Sequence, residues 1–109
     1  MSADDQAAAA STPTVTNNEA ESRYEIHVDG QVVGFADYSV SPGVIAIPHT
    51  EVDPAFEGRG LGSRLASAAL DDIRQQGMRV APHCPFIATY IRRHPEYADL
   101  VERGTPSGE

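Results

Sequence analysis

The 109-residue sequence contains no lysine, no tryptophan and a single cysteine. All eight of its Lys and Arg positions are arginines, and the net charge at pH 7 is -8. A protein that neutralises nucleic-acid phosphates needs clustered basic side chains, so this composition predicts no nucleic-acid partner. The lone Cys84 excludes an intrachain disulfide and is typical of a reducing compartment, which predicts a cytoplasmic protein.

The sequence also has no long apolar runs, and this limits which kinds of segment and domain it can contain. The sequence has no run long enough to span a bilayer and no basic start typical of a secretory signal, so no membrane association is expected. Residues 1–22 are mostly small or polar without periodicity, which predicts a disordered N-terminal tail. Residues 104–109 are predicted to be a flexible C-terminus. A single α/β domain over residues 23–103 remains, with room for one hydrophobic core.

Residues 23–52 are typical of an antiparallel β-meander. Apolar residues alternate with polar ones on both sides of Asp29-Gly30, a dipeptide that favours a tight hairpin with positive φ at both positions. The alternation places one set of residues toward the core: Tyr24, Ile26, Val28, Val32, Gly34, Ala36, Tyr38 and Val40. The run Val44–Ile47 predicts a buried strand that continues to Val52. A bulge or splay is expected near Pro48 and His49, because proline has no N–H for the ladder.

The second half of the domain predicts a helix, a strand and another helix. Apolar residues recur every four positions after Gly60 and indicate a helix to about Gln76, stopped by a left-handed Gly77. These residues are Leu61, Leu65, Ala69 and Ile73. Met78–Ala81 should return as a short strand parallel to the strand that ends at Val52. A second apolar pattern predicts a final helix that ends at His94-Pro95. Its residues are Phe86, Ile87, Tyr90 and Ile91.

The segment Glu57–Leu65, with the sequence EGRGLGSRL, is the strongest indication of function. Its three glycines allow successive backbone N–H groups to point at one ligand. The positive end of the helix dipole lies behind them, so the turn is predicted to bind a phosphate or a pyrophosphate. Arg59 and Arg64 flank the turn and would attract an anion. The alternative is a glycine-rich helix entry that holds no ligand.

These residues resemble the GNAT superfamily of acetyl-CoA-dependent acyltransferases, and within it a small single-domain N-acetyltransferase-like branch. The superfamily turn is Gln/Arg-x-x-Gly-x-Gly/Ala, which Glu57–Gly62 matches except at the first position. Three further stretches extend the resemblance to nearly all of residues 23–101: His49–Pro54, Pro82–Phe86 and His94–Tyr97. The resemblance implies a minimal GNAT fold, with an antiparallel β-meander, a helix, a parallel strand splayed from the sheet and a C-terminal helix.

The resemblance also implies a ligand and the residues that bind it. Acetyl-CoA is the expected co-substrate, and its pyrophosphate would be held around the glycine turn. The residues expected to bind it are Val52, Glu57, Gly58, Arg59, Gly60, Leu61, Gly62, Ser63 and Arg64. The helices that form one wall of the acceptor site in most relatives are absent, so the acceptor side should be open to a small-molecule or peptide amine. A monomer or weak homodimer is expected, and no metal, because the His and Cys residues lack a recognised ligand spacing.

Three residues near the splay are candidates for catalysis. His49 can deprotonate an attacking amine or a thiol, and the alternative is a histidine with a structural hydrogen bond. Cys84 is the predicted N-cap of the last helix, where a thiolate could carry the acetyl group transiently; the alternative is an inert, half-buried thiol. Tyr90 resembles the superfamily tyrosine that protonates the departing thiolate, with Tyr97 as a second candidate. For both, packing against the sheet is the alternative.

The sequence therefore predicts an acetyl-CoA-dependent N-acetyltransferase that acts on an amine. His49, Cys84 and the intact glycine turn favour an enzyme. Glu57 and the missing acceptor-site helices favour the alternative, a non-catalytic module that binds coenzyme A, acyl-CoA or a partner on a degenerate acetyltransferase scaffold.

Overall fold

The computed structural model of the protein describes residues 12–102. The predicted flexible C-terminus, 104–109, and the first eleven residues of the predicted N-terminal tail lie outside these residues. Within them the strands are β1 Thr14–Asn18, β2 Arg23–Val28, β3 Gln31–Ser41, β4 Val44–Val52 and β5 Arg79–Ala81. The α-helices are α1 Leu61–Gln75 and α2 Pro85–Arg93. Two short 3-10 helices cover Pro54–Phe56 and Pro95–Leu100.

The strands form one sheet in sequence order, β1-β2-β3-β4-β5. Neighbours are antiparallel from β1 to β4, whereas β5 returns after α1 and pairs parallel with β4. The predicted meander, crossover helix and parallel return are therefore confirmed. The hairpin at Asp29-Gly30 is also as predicted, with φ of 54° and 77° at its two residues. Gly77 ends α1 with φ of 72°.

The prediction of a disordered N-terminal tail is wrong for residues 14–18, which form β1. Val15 pairs with Ile26 of β2 and packs against the core. The side chain of Asn17 accepts a hydrogen bond of 2.5 Å from the hydroxyl of Tyr38. The composition of this segment predicts no core of its own, but the exposed edge of β2 supplies partners for its backbone groups. Pairing with a neighbouring strand, rather than local propensity, orders the segment.

A bulge lies in β4 where the sequence predicts one. Asp37 of β3 pairs with His49, but Ser39 pairs with Ala46, so Ile47 and Pro48 together oppose one residue of β3. An extra residue of this kind bends the bulged strand and re-aims the side chains that follow it. The bulge therefore separates a first half of β4 that pairs with β5 from a second half that does not.

A second register shift, between β2 and β3, reverses one burial prediction. Ile26 pairs with Gly34 and His27 with Val32, which leaves Val33 as the extra residue. Val33 is consequently 2% exposed, while Val32 is 39% exposed. Slipping the register by one residue moves side chains to the other face, and the uniform alternation in the sequence cannot reveal this. Val40, next to the β3–β4 turn, is also exposed rather than buried.

The core lies between the sheet and α1. The apolar stripe of α1 is fully buried, as the spacing of four predicts, and packs on the inward residues of β2, β3 and β4. The buried residues of α1 are Leu61, Leu65, Ala66, Ala69, Leu70 and Ile73. Ile87 and Ile91 of α2 join the same core. This packing fixes the start of α1 beside the second half of β4.

Candidate functional site

A pocket of about 360 Å³ opens where β4 ends and α1 begins. It is lined by Thr50–Val52 of β4, by the turn and first residues of α1, and by Phe86 of α2. Most of the residues predicted to bind the cofactor line this pocket: Val52, Glu57, Gly58, Gly60, Leu61, Gly62 and Ser63. Arg59 and Arg64 are exposed next to it. The guanidinium of Arg59 lies 5.0 Å from the ring centre of Phe56, which is itself a lining residue.

The three glycines of the turn are needed for two different reasons. Gly58 and Gly60 have φ of 85° and 74°, a left-handed conformation that other residues rarely adopt. A Cβ at either position would have nothing within 4 Å, so the space in front of the turn is open. Gly62 instead lies against Phe86, and a Cβ there would stand 2.9 Å from Cζ of that ring. The third glycine is therefore required by close approach and not by backbone conformation.

The turn leaves backbone donors available for an anion. Gly60 is the N-cap of α1 and no side chain caps the helix. The first intrahelical bond runs from N–H of Arg64 to the carbonyl of Gly60, at 3.1 Å. The N–H groups of Leu61, Gly62 and Ser63 precede it and have no partner one turn back. The first turn of α1 also carries no acidic residue. At the positive end of the helix dipole, these groups can bind a phosphate or a pyrophosphate.

Next to the turn, β4 has an unpaired side. β5 pairs with β4 only over Val44–Ala46, and the last link is the N–H of Cys84 to the carbonyl of Ile47, at 2.8 Å. From Pro48 to Val52, β4 pairs with β3 on one side and with no other strand among residues 12–102. We call this segment, residues 48–52, the open edge of β4. An extended chain bearing amide groups fits such an edge, since it can pair as an added strand.

His49 lies on the open edge of β4 but is not among the residues that line the pocket. Its Nε2 is 3.0 Å from Oε1 of Glu51, and both side chains are more than half exposed. The His49 ring also lies 6.0 Å from the ring of Phe35 on β3. Alternate residues of a strand face opposite sides of the sheet. Thr50 pairs with Ala36, which is buried in the core, so Thr50 and Val52 face the core side of the sheet and the side chain of His49 projects to the opposite side.

Cys84 is the N-cap of α2, as predicted, but it is 5% exposed and belongs to the hydrophobic core. It does not line the pocket. A transient acetyl-cysteine needs a thiol that acetyl-CoA can reach, and a core position does not give that access. The role of Cys84 as an acetyl carrier stays a prediction without support from the geometry.

Tyr90 also lies away from the pocket. Its ring stacks on that of His94, with 3.9 Å between centroids, and it is 6.0 Å from the ring of Tyr97. Tyr97, the second candidate, is buried and its hydroxyl donates to Asp71 at 2.8 Å. Burial raises the pKa of the Tyr97 phenol above its ordinary value. The fold thus brings the predicted phosphate-binding residues together but places none of His49, Cys84 and Tyr90 in the pocket lining.

Several lining residues escape prediction from the sequence. Thr50, Glu51, Phe56 and Phe86 line the pocket. The helical spacing assigns Phe86 to the apolar face of α2, yet this residue is 42% exposed. The alternation of Thr50 with Val52 on one strand is a signal that could identify Thr50. No local signal could reveal that Phe86 packs on Gly62, because the two residues meet only through the packing of α2 beside α1.

Two further observations concern other kinds of site. No helix found between residues 12 and 102 combines the length and apolar character needed to cross a membrane. The same part of the chain holds no group of three or more His, Cys, Asp or Glu side chains arranged to bind a metal ion.

The chain is similar to proteins of one known family. Residues 23–100 match the model of the GCN5-related N-acetyl-transferase family. Protein NATD1 of Homo sapiens is 34% identical over 56 residues, which are 51% of this chain and 50% of that protein. The chain therefore aligns with about half the length of the curated relatives it matches.

Solved structures share the fold. Ard1 from Thermoplasma volcanium is 37% identical with a TM-score of 0.51, over 58% of this chain and 44% of Ard1. A GCN5-like protein from Staphylococcus aureus, solved by NMR, has a TM-score of 0.62 over 88% of this chain and 96% of its own. At 19% identity, this second likeness concerns the fold alone. The family match over residues 23–100, on the fold and glycine turn described above, shows that the chain belongs to the GCN5-related N-acetyltransferase family.

Proposed function

We propose that the protein is an acetyl-CoA-dependent N-acetyltransferase that acetylates an amine. One observation carries the proposal: a single pocket joins the uncapped glycine turn at the start of α1 to the open edge of β4. The turn offers donors for a pyrophosphate, and the edge offers backbone groups for the amide-bearing arm of the same ligand. Acetyl-CoA contains a pyrophosphate followed by an amide-bearing arm. The pocket presents the glycine turn and then the open edge of β4, which is the same order.

In this proposal the chain binds and orients the donor and removes a proton from the acceptor. The N–H groups of Leu61, Gly62 and Ser63 hold the pyrophosphate, while the open edge of β4 aligns the arm. Acetyl-CoA supplies the acetyl group: the amine nitrogen forms a bond to the thioester carbonyl carbon, the C–S bond breaks, and coenzyme A leaves as a thiolate that takes up a proton. His49 is the candidate base, acting directly or through a water. If its Nε2–H donates to Glu51, then Nδ1 is left as the proton acceptor.

The second candidate function is a non-catalytic module that binds coenzyme A or acyl-CoA. The observation that favours it is the position of the catalytic candidates. Cys84 is in the core and Tyr90 stacks on His94, so the pocket lining contains neither of them. Such a module would use the glycine turn in the same way and would leave the thioester intact.

Two measurements on one set of variants test the proposal. The first is release of free coenzyme A thiol from acetyl-CoA in the presence of a panel of amines. The second is the rise in melting temperature on addition of coenzyme A, which reports binding alone. The proposal requires both thiol release and thermal stabilisation. Stabilisation without turnover on any amine would support the module, and absence of both would contradict either function.

Gly60→Ala and Gly43→Ala form a matched pair for this test. Both glycines have positive φ, 74° and 76°, and a Cβ at either would have nothing within 4 Å. Both substitutions should therefore destabilise the chain similarly, by about 1–2 kcal/mol. Gly60 lines the pocket, whereas Gly43 lies in the β3–β4 turn and is not a lining residue. Only Gly60→Ala should reduce the thermal shift caused by coenzyme A.

A further inference from the structure

Thr50 carries a polar atom that the fold leaves unpaired. Its Oγ1 is buried and has no hydrogen-bond partner, and it is the one such side-chain atom found among residues 12–102. Buried hydroxyl groups in folded proteins are almost always paired, so each exception requires an explanation. Thr50 also lines the pocket between β4 and α1. Thr50 is a lining residue whose Oγ1 is itself covered, so a bound ligand would satisfy this atom once the side chain turns it toward the pocket.

The backbone does not require a hydroxyl at this position. Thr50 pairs with Ala36 in the β3–β4 ladder and lies within a regular part of β4 beyond the bulge. Valine has nearly the same shape, suits a strand equally well and brings no polar atom that must be satisfied. For the free protein, threonine is therefore the less favourable choice of the two. The hydroxyl needs another reason to be there.

The position of Thr50 along β4 indicates which part of a ligand it meets. Thr50 precedes Val52 by two residues, a distance of about 7 Å along a strand. The glycine turn follows Val52 after the short Pro54–Phe56 helix. Thr50 is therefore on the open edge of β4, displaced from the N–H groups that face the pyrophosphate. Rotation about χ1 to another staggered rotamer moves Oγ1 to a different side of Cβ, which gives it a route into the pocket.

We propose that Thr50 is a positioning residue whose hydroxyl donates a hydrogen bond to an amide carbonyl of the pantetheine arm of coenzyme A. The inference rests on the proposed function, since it assumes that the pocket binds this ligand. The bond satisfies Oγ1 only in the complex. Thr50 thus fixes the depth of the arm along β4 and, through it, the position of the thioester along the open edge of β4.

The test compares Thr50→Val and Thr50→Ser by titration calorimetry with coenzyme A and with ADP. ADP has the pyrophosphate but lacks the pantetheine arm. We expect Thr50→Val to bind coenzyme A about tenfold more weakly, in the range for loss of one hydrogen bond. Its affinity for ADP should be unchanged, and Thr50→Ser should keep the wild-type affinity for coenzyme A. Without ligand, the urea midpoint of Thr50→Val should equal or exceed that of the wild type.

Thr16→Val is the control for loss of a threonine hydroxyl elsewhere in the sheet. Thr16 lies on β1 and its Oγ1 is 3.2 Å from Nε2 of His27, away from the pocket. This variant should bind coenzyme A like the wild type. Equal affinity of Thr50→Val and wild type for coenzyme A would overturn the inference, and so would an equal loss of affinity for ADP. Failure of the wild type to bind either ligand would instead overturn the proposed function, and the inference with it.

Discussion

Replacement of Gly62 by alanine should weaken coenzyme A binding without a comparable loss of stability. The added Cβ would lie 2.9 Å from Cζ of Phe86, closer than real Cβ contacts allow, so the aromatic ring must move. The Phe86 side chain can do so, because the residue is 42% exposed and only its far end is touched. Since Phe86 lines the pocket, its displacement changes the space that the ligand occupies.

The two effects of this substitution can be estimated separately. Alanine is favoured over glycine in a helix by up to about 1 kcal/mol, and Gly62 lies in the first turn of α1. Forcing an extra methyl group into packed surroundings costs about 1–3 kcal/mol, with the low end expected for a ring that can swing into solvent. The free energy of unfolding should thus change by less than about 1 kcal/mol. In the complex the ring has less freedom, so we expect about tenfold weaker binding.

Titration calorimetry with coenzyme A and urea unfolding measure the two quantities. Gly77→Ala is the control, because Gly77 has φ of 72° with nothing near its Cβ position and lies at the far end of α1. It should lose about 1–2 kcal/mol of stability and keep its affinity. In a Phe86→Ala background the Gly62→Ala change should no longer affect affinity. Unchanged affinity in the wild-type background, or the same loss in both backgrounds, would refute the reasoning.

Three other substitutions test the remaining assignments. His49→Gln should change the free energy of unfolding by less than about 0.5 kcal/mol, since the side chain is exposed. If His49 is the base, the same variant should lower kcat at least about 100-fold. An unchanged kcat would exclude that role. Cys84→Ala should lower the free energy of unfolding by about 1 kcal/mol, because it truncates a core side chain. Turnover per folded molecule should be unchanged. An acetyl adduct on wild-type Cys84 in intact-mass spectra would contradict this. The Arg23 hydrogen bond lowers the pKa of the Glu25 carboxyl below its ordinary value of 4.5, so its stabilisation is present at neutral pH and is lost as the pH falls through the lower, folded-state value. Glu25→Gln should therefore destabilise the chain in urea at pH 7 by about 1–2 kcal/mol and progressively less as the pH falls below the ordinary value of 4.5. A loss that does not change with pH would argue against the ion pair.

Local signals were sufficient where one short segment carries the information. Asp29-Gly30 predicts its hairpin because two residues with positive φ suffice to make the turn. The spacing of Leu61, Leu65, Ala69 and Ile73 predicts α1, since a helix buries the same face at every turn. Pro48 predicts the bulge in β4 because its missing N–H interrupts the ladder wherever the partner strand lies. In each case the physical cause lies within a few residues of its effect.

Predictions failed where the cause lies in a distant segment. Residues 14–18 become a strand because β2 offers an edge, which their own composition does not show. Val32 is exposed because the register of β3 shifts against β2. Cys84 was correctly expected at the N-cap of α2, but its burial depends on how α2 packs against the core.

The glycine turn could be identified without a structure, because its glycines, the helix start and the flanking arginines are neighbours along the chain. Periodicity and turn residues also predicted the order of the strands and helices from residue 23 onward, but not β1. The surroundings of the turn could not be predicted: Phe86 packs on Gly62, the pocket residue Thr50 has an unpaired buried hydroxyl, and His49 lies on the opposite side of β4. Those relations join residues from separate elements, and they are fixed by the packing of α1 and α2 and by the bulge that turns β4 away from β5.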